Sequence, residues 1–416
     1  MKDNELKKTL TLPKAVALAI TMVIGSGLLI IPGLAYSKCG SSAIYSWILC
    51  AVATAPLLYV FATLGAHFPN AGGIAGYMRN IFSNRIGNAT EFLLLATLPG
   101  GAALSMTGGN YLSRLLSNSE KSIIPCTIAI IAFGLLANVF GSKITGNVQQ
   151  FFAALIILTL ILVSAVSLIW GDHDAGTGIA APSKAFLSLP AVGLVFFSFV
   201  GWELMSFTSE EFVDPKRDFP RMIYFSFIIV VSIYLLIAVT IQLILPLTSP
   251  GLESAPIASM IATVMGPLSS RLVLAIGSVI AITNYVSIVW AFSRFAYASS
   301  REGILPRFLS KQNDSTSVPQ NAVITVTICF GILASLSLLK VATLSCLFEL
   351  AGVSFFFSYC LCIIAWTKFT RLKRSKSIGI LLLLFESALY CTFGLKAVYP
   401  IFFFIVGLLL PAKGSE

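Results

Sequence analysis

The stretch Ile24-Gly25-Ser26-Gly27-Leu28-Leu29-Ile30-Ile31-Pro32-Gly33 lies in the middle of the first apolar run, from about Ala15 to Tyr36. A run of that length spans a bilayer as a helix. Yet Gly-Ser-Gly at its centre is the combination least suited to holding a helix together there. In hydrocarbon each unpaired backbone group costs several kcal/mol, so a break is tolerated only beside protein or a wet cavity. Two readings compete. The small residues let two helices pack closely, or the helix is discontinuous and turns its backbone dipoles toward a substrate. The rest of the chain decides between them.

The 416 residues are 57% hydrophobic and 11% charged, with a mean hydropathy of +0.92. Soluble domains average about 25% charged residues, so the composition is that of an integral membrane protein. The apolar runs exceed 18 residues, are continuous and do not alternate, which points to helices rather than a barrel. Residues 1–14 form a short polar tail carrying Lys2, Lys7, Lys8 and Lys14. The apolar run after it is too long for a signal peptide and lacks a clear cleavage site, so a retained cytoplasmic tail is expected. The net charge of +10 reflects positive loops on one side of a lipid bilayer, not nucleic acid. The eight cysteines fall mostly within apolar spans, where cysteine acts as a small hydrophobe. Cys360-x-Cys362 sits on an expected helix, where residues two apart do not share a face. His67 and His173 have no partners at ligand spacing. No metal site, cofactor, redox chemistry or catalytic set is expected.

Twelve spans follow from the apolar runs, at about 15–36, 43–65, 88–114, 123–140, 147–170, 187–209, 220–245, 268–297, 320–338, 342–366, 378–393 and 395–411. With the N-terminus inside, twenty of the 27 Lys and Arg residues fall in cytoplasmic segments and seven outside. By the positive-inside rule this bias sets the orientation and an even number of spans, with both termini cytoplasmic.

A second interruption lies in the sixth span, at Phe196-Phe197-Ser198-Phe199-Val200-Gly201-Trp202-Glu203. Here a small residue breaks an apolar run and a carboxylate lies near membrane depth, which makes Glu203 a functional candidate by default. The two interruptions are five spans apart. An odd offset means that the second copy enters the membrane from the opposite side, the signature of an inverted repeat with the substrate site at the repeat interface. The expected organisation is therefore a first repeat over 15–170, a second over 187–366, and two trailing helices over 378–411. The pairing favours a discontinuous binding site over simple packing.

Three cytoplasmic connectors carry further pattern. Glu210-Glu211-Phe212-Val213-Asp214-Pro215-Lys216-Arg217-Asp218-Phe219-Pro220-Arg221 joins spans six and seven, with Pro at the expected first turn of the next helix. Arg301-Glu302-Gly303-Ile304-Leu305-Pro306 follows span eight as a helix stop and turn. Pro69-Asn70-Ala71-Gly72-Gly73 follows span two; with no Gly-Lys-Ser/Thr ending it is no phosphate loop, and helical re-entry or close packing on the bundle is expected.

Together these stretches resemble the amino acid–polyamine–organocation transporter superfamily over nearly the whole chain. Gly25-Ser26-Gly27 with Ile31-Pro32-Gly33 is similar to its first-helix signature, and Phe197 to Glu203 to its sixth-helix signature. The connector through Asp214-Pro215 and Asp218-Phe219-Pro220-Arg221 is similar to a third motif, with Asp214 where the family usually has asparagine. Arg301 to Pro306 resembles a fourth. Within the superfamily the chain most resembles the bacterial methionine and branched-chain amino acid exporters. The resemblance implies an all-α membrane protein of the leucine-transporter fold in a bacterial inner membrane, moving amino acids by proton coupling or exchange. A homodimer is compatible with the sequence.

An amino acid zwitterion presents a carboxylate and an ammonium. Amides at a half-helix N-terminus suit the first and carbonyls at a half-helix C-terminus suit the second. On this basis the amides of Ser26, Gly27 and Leu28 are expected to hold the carboxylate. Carbonyls of Val23 or Ile24, with Phe197, Ser198 or Val200, are expected to hold the ammonium, Gly25 and Gly201 supplying the breaks. The resemblance points to Ala96, Thr97 and Gly101 on span three, Phe197 and Val200 on span six, and Asn284 or Ile288 on span eight as the side-chain pocket; a packing role is the alternative for each. A pocket without fixed charge favours neutral, apolar amino acids, leaving Trp202 and Glu203 to gating or coupling. Span five holds no Lys, so it lacks the lysine that some proton-coupled relatives use there. Glu349 in span ten is expected to act either as a proton carrier or as a solvated residue of an outer vestibule. Glu386 in span eleven has no expected role. Rival readings are an exchanger of cationic amino acids or polyamines and a non-transporting amino acid sensor of the same fold.

Overall fold

The computed structural model describes residues 12–68, 74–117, 119–140, 146–202, 214–312 and 318–409, and among these every regular element is helical. The first apolar run is two helices, α1 (Leu12–Val23) and α2 (Ile31–Cys39), with a single 3-10 turn over Ser26–Leu29 between them. Gly25 is extended, at φ −105° and ψ 178°, so the α1 ladder ends there and restarts on Pro32 in the first turn of α2. That placement suits proline, whose missing N–H is unneeded at a helix start.

Then come α3 (Ala43–His67), the short α4 (Ile74–Ile81), α5 (Asn84–Leu93), α6 (Leu98–Leu116), α7 (Ile123–Val139) and α8 (Gly146–Trp170). The expected packing after span two takes the form of α4, a helix lying against α5; Pro69 to Gly73 lie outside the described residues. Ser83 caps α5 by accepting from the Ile86 amide at 3.4 Å, so span three starts four residues earlier than its apolar pattern indicated. A 3-10 stretch, Leu94–Thr97, joins α5 to α6.

The second broken segment is α9 (Val192–Phe196), continued by a 3-10 turn over Phe197–Phe199. Val200 is extended at φ −94° and ψ 166°, and Gly201 has φ +113°, a backbone region that side chains with a Cβ rarely enter. Glu203 and the connector through Val213 lie outside the described residues. The chain continues as α10 (Pro215–Ile244), capped by the Asp214 side chain, then α11 (Pro256–Met265), α12 (Pro267–Arg301), α13 (Gln320–Leu338), α14 (Leu344–Phe369), α15 (Lys373–Cys391) and α16 (Val398–Leu409).

Among the described residues, seven helical stretches are long and apolar enough to cross a membrane, among them Asn84–Leu116, Arg217–Ile244, Pro267–Arg301 and Leu344–Phe369. Shorter ones such as the 17-residue α7 rise about 26 Å, little less than the roughly 30 Å hydrocarbon core. Large apolar side chains also cover outward faces: Ile124, Ile128, Phe133 and Leu136 on α7, and Leu381, Leu384 and Phe385 on α15. Such surface would drive aggregation in water and is at ease in lipid.

Inside, α1 packs on α10 and α8, α3 on α10, α6 on α7 and α12, and α14 on α9, α6 and α15. Where α14 meets α9, a Cβ on Gly352 would collide with the Gly193 carbonyl, so glycine is what permits the backbones to approach. This packing presses the two 3-10 turns of the broken segments against each other.

Candidate functional site

The breaks at Gly25 and Gly201 open onto one cavity of about 130 Å³, room for a small solute by a measure in which one water needs about 10–15 Å³. The first segment contributes Val23, Gly25, Gly27 and Leu28, and the second Phe197, Ser198, Val200 and Gly201. From α5–α6 come Thr97, Gly100, Gly101 and Leu104; Tyr234, Ile288, Phe292 and Phe355 complete the wall. None of these carries a charged side chain.

Backbone groups supply the polarity. Among the described residues the amides of Ser26 and Gly27 have no backbone acceptor, while the Leu28 amide donates to the Gly25 carbonyl at 3.1 Å. Of the three amides expected to be free, two lack a backbone acceptor, because the 3-10 turn engages the third. At the opposite ends, the Tyr234 hydroxyl donates to the Ser198 carbonyl at 2.6 Å, with the Val23 carbonyl 3.4 Å from the same oxygen. The carbonyl ends of both half-helices therefore converge on one phenol.

Ten of the fourteen expected binding residues line the cavity: Gly25, Gly27, Leu28, Thr97, Gly101, Phe197, Ser198, Val200, Gly201 and Ile288. Four lie behind it. Ile24 is only 2% exposed and packs in the core. The Ser26 hydroxyl donates to the Asn284 Oδ1 at 3.0 Å, so these two side chains brace the break from α12 while the Ser26 backbone remains in the turn. Ala96 is buried in the 3-10 stretch, its carbonyl accepting from Ser354 Oγ at 3.1 Å.

Two rings shape the wall. Phe197 leans on Phe348 and Phe355, with centroids 5.1 and 6.5 Å away. A Cβ on Gly100 would strike Phe197, and one on Gly101 would strike Phe330. The glycine pair on α6 makes space for both rings. Tyr234, Phe292, Phe355, Gly100 and Leu104 were not among the expected site residues. For Tyr234 a signal existed, a hydroxyl-bearing ring inside an otherwise apolar span, but its partners are backbone atoms far away in sequence.

Of the expected gating residues, Trp202 is 1% exposed and packs on Phe227 at 6.1 Å, and Glu203 is outside the described residues. Glu349 is not the solvated residue of the second expectation. Its side chain is 4% exposed and paired with both Lys38 of α2 and Lys396 of the turn between α15 and α16, while Ser345 Oγ donates to it at 2.9 Å. These lysines border a second cavity, of about 310 Å³. At the other end, Arg79 of α4 bonds Glu91 of α5, Glu302 after α12 and Asn88, each at 3.0 Å, and Ser299 Oγ donates to Glu91 at 2.6 Å. This network was invisible in the sequence because its members are separated by up to 223 positions.

The amino acid permease family matches residues 10–415. The chain is 26% identical over 362 residues to an uncharacterised amino acid permease of Bacillus subtilis, YecA, covering 85% of this chain and 84% of that one. It is 24% identical over 418 residues to the L-methionine/branched-chain amino acid exporter YjeH of Escherichia coli, covering 98% and 97%. Against the serine/threonine exchanger SteT of Bacillus subtilis it is 26% identical over 386 residues, covering 90% and 86%.

Proposed function

The chain belongs to the amino acid permease family, and from that premise we propose that it moves neutral, apolar amino acids across the membrane by alternating access. The observation that carries this proposal is the uncharged wall of the cavity between the two broken helices. A zwitterion there has the amides of Ser26 and Gly27 for its carboxylate, helped by the positive end of the half-helix dipole. Its ammonium has the carbonyl ends at Val23 and Ser198. A cationic side chain would be left unpaired among Phe197, Ile288, Phe292 and Phe355, at a cost of several kcal/mol. An aliphatic or thioether side chain suits that wall.

The same proposal treats 15–170 and 187–366 as inverted repeats that rock against each other, with 378–411 trailing, in a bacterial plasma membrane with both termini cytoplasmic. Trp202, next to Gly201, is assigned to gating. The carboxylate of Glu349, holding ammonium groups from two other elements, is assigned to keeping the outer end closed.

The test is purified protein in liposomes, given labelled methionine, leucine, valine, serine, arginine, lysine and putrescine. Saturable movement of the apolar amino acids is expected. Movement confined to cationic compounds would overturn the substrate assignment, and binding without movement would make the protein a sensor.

A further inference from the structure

One buried acid has no place in that scheme. Glu386 of α15 is 0% exposed, and neither carboxylate oxygen has a hydrogen-bond partner among the described residues. It lies thirteen residues from the Lys373 end of its helix and five from the Cys391 end, or about 20 and 8 Å at helical rise. Its electrostatic neighbours are Cys50 of α3 and Cys360 of α14, both buried thiols. An ionised carboxylate held there without a cation or donor would cost several kcal/mol, whereas the protonated acid costs far less.

The surroundings connect this acid to the outer cavity. Glu349, Val353, Phe356 and Cys360 recur at helical spacing on one face of α14. Glu349 and Val353 border the 310 Å³ cavity, as do Thr392, Phe393 and Lys396 across from them. Below it, Phe356 meets Phe393 at 5.3 Å and Tyr390 at 6.1 Å, and Tyr390 meets Phe393 at 5.7 Å. Glu386 is one helical turn beyond Tyr390, and Cys360 one turn beyond Phe356. The seam between α14 and α15 thus runs from a charged cavity, through a layer of three rings, to a buried acid.

We propose that Glu386 is a proton-binding site that exchanges with the outer cavity along the α14–α15 seam, the Phe356–Tyr390–Phe393 layer acting as its barrier. The step is proton transfer between water in that cavity and the Glu386 carboxylate, with no other bond formed or broken. Among the described residues, Lys38, Lys396 and Glu349 lie above the ring layer with the thiols of Cys39 and Cys346 near the lysines, and Cys50, Cys360 and Tyr390 lie beside the acid, with Cys391 near Tyr390. The site is separate from the amino acid cavity and does not depend on which solute is carried.

Infrared spectroscopy of the purified protein in liposomes, with no amino acid present, tests this directly. At neutral pH the wild type is expected to show the carbonyl stretch of a protonated carboxyl group. Glu386→Gln should lose it, and Glu386→Asp should retain it at a shifted position. A wild type without that band, or a band unchanged in Glu386→Gln, would overturn the site. On transfer to deuterated buffer the band should shift slowly in wild type and several-fold faster in Phe393→Ala, a residue at the cavity edge. Equal exchange rates would overturn the path.

Discussion

The Tyr234 hydroxyl donates to the Ser198 carbonyl at 2.6 Å, tying the unbroken helix α10 to the end of the second half-helix. The same oxygen is 3.4 Å from the Val23 carbonyl at the end of the first. One phenol thereby holds the two breaks in register. In Tyr234→Phe the ring remains and the buried Ser198 carbonyl loses its donor, costing on the order of 1–3 kcal/mol. A lower unfolding temperature and a weaker apparent affinity for the transported amino acid are expected. A variant with wild-type values of both would show that the hydroxyl does not set the geometry of the breaks.

Gly27 tests the binding surface itself. A Cβ there would lie 3.2 Å from Ile31 Cδ1 and 3.5 Å from Phe197 Cε1, tight but accommodated by side-chain shifts. Gly27→Ala is expected to fold and bind weakly. Gly27→Leu would place its branch in the cavity and should lower affinity at least tenfold, about 1.4 kcal/mol, measured by calorimetric or scintillation binding. Undiminished binding in a folded Gly27→Leu protein would reduce the first break to a packing device.

Asn284 stands behind the break, not in the cavity wall. Asn284→Leu removes the acceptor for Ser26 Oγ while leaving the cavity surface uncharged. The expected outcome is a moderate loss of affinity, within tenfold, without a change in the order of preference among amino acids. A changed order would place Asn284 in direct contact with the solute.

Arg79 anchors the network at the end of the bundle opposite Glu349. Arg79→Ala leaves Glu91, whose side chain is 11% exposed, without its cation, a loss on the order of 3 kcal/mol for a buried pair. Glu302 is 49% exposed, so Glu302→Gln should cost no more than about 1 kcal/mol. Thermal unfolding in detergent compares them, and equal losses would contradict the burial difference.

Glu349 joins α2, α14 and the turn before α16 through two lysines. Glu349→Gln would leave two ammonium groups facing each other without an anion. Faster amide exchange at the ends of α2 and α15 is expected, partly reversed by adding Lys38→Met. No change in exchange would remove Glu349 from the closure of that end.

How far the sequence reaches is visible at particular residues. The break at Gly25-Ser26-Gly27 and its partner at Val200-Gly201 were legible because glycine in the middle of an apolar span conflicts with helix continuity, whatever the fold. Family-like motifs then brought ten of the fourteen expected residues to one cavity wall. The sequence pattern could not separate Ser26, which faces Asn284, from Gly27, which faces the cavity, since both occupy the same turn. It also placed Leu28 among the amide donors, whereas the 3-10 turn spends that amide on Gly25.

Local chemistry alone therefore determined that the chain crosses a membrane in many helices and that two of them are interrupted. Backbone satisfaction in lipid is decided residue by residue, so it leaves its mark on composition and spacing. Only the tertiary structure decided that Tyr234 joins the breaks, that Glu349 is held by Lys38 and Lys396, and that Glu386 lies buried beneath three rings. Each of these depends on which helix faces lie against each other, and pairings between positions tens to hundreds of residues apart are set by packing rather than by any local pattern.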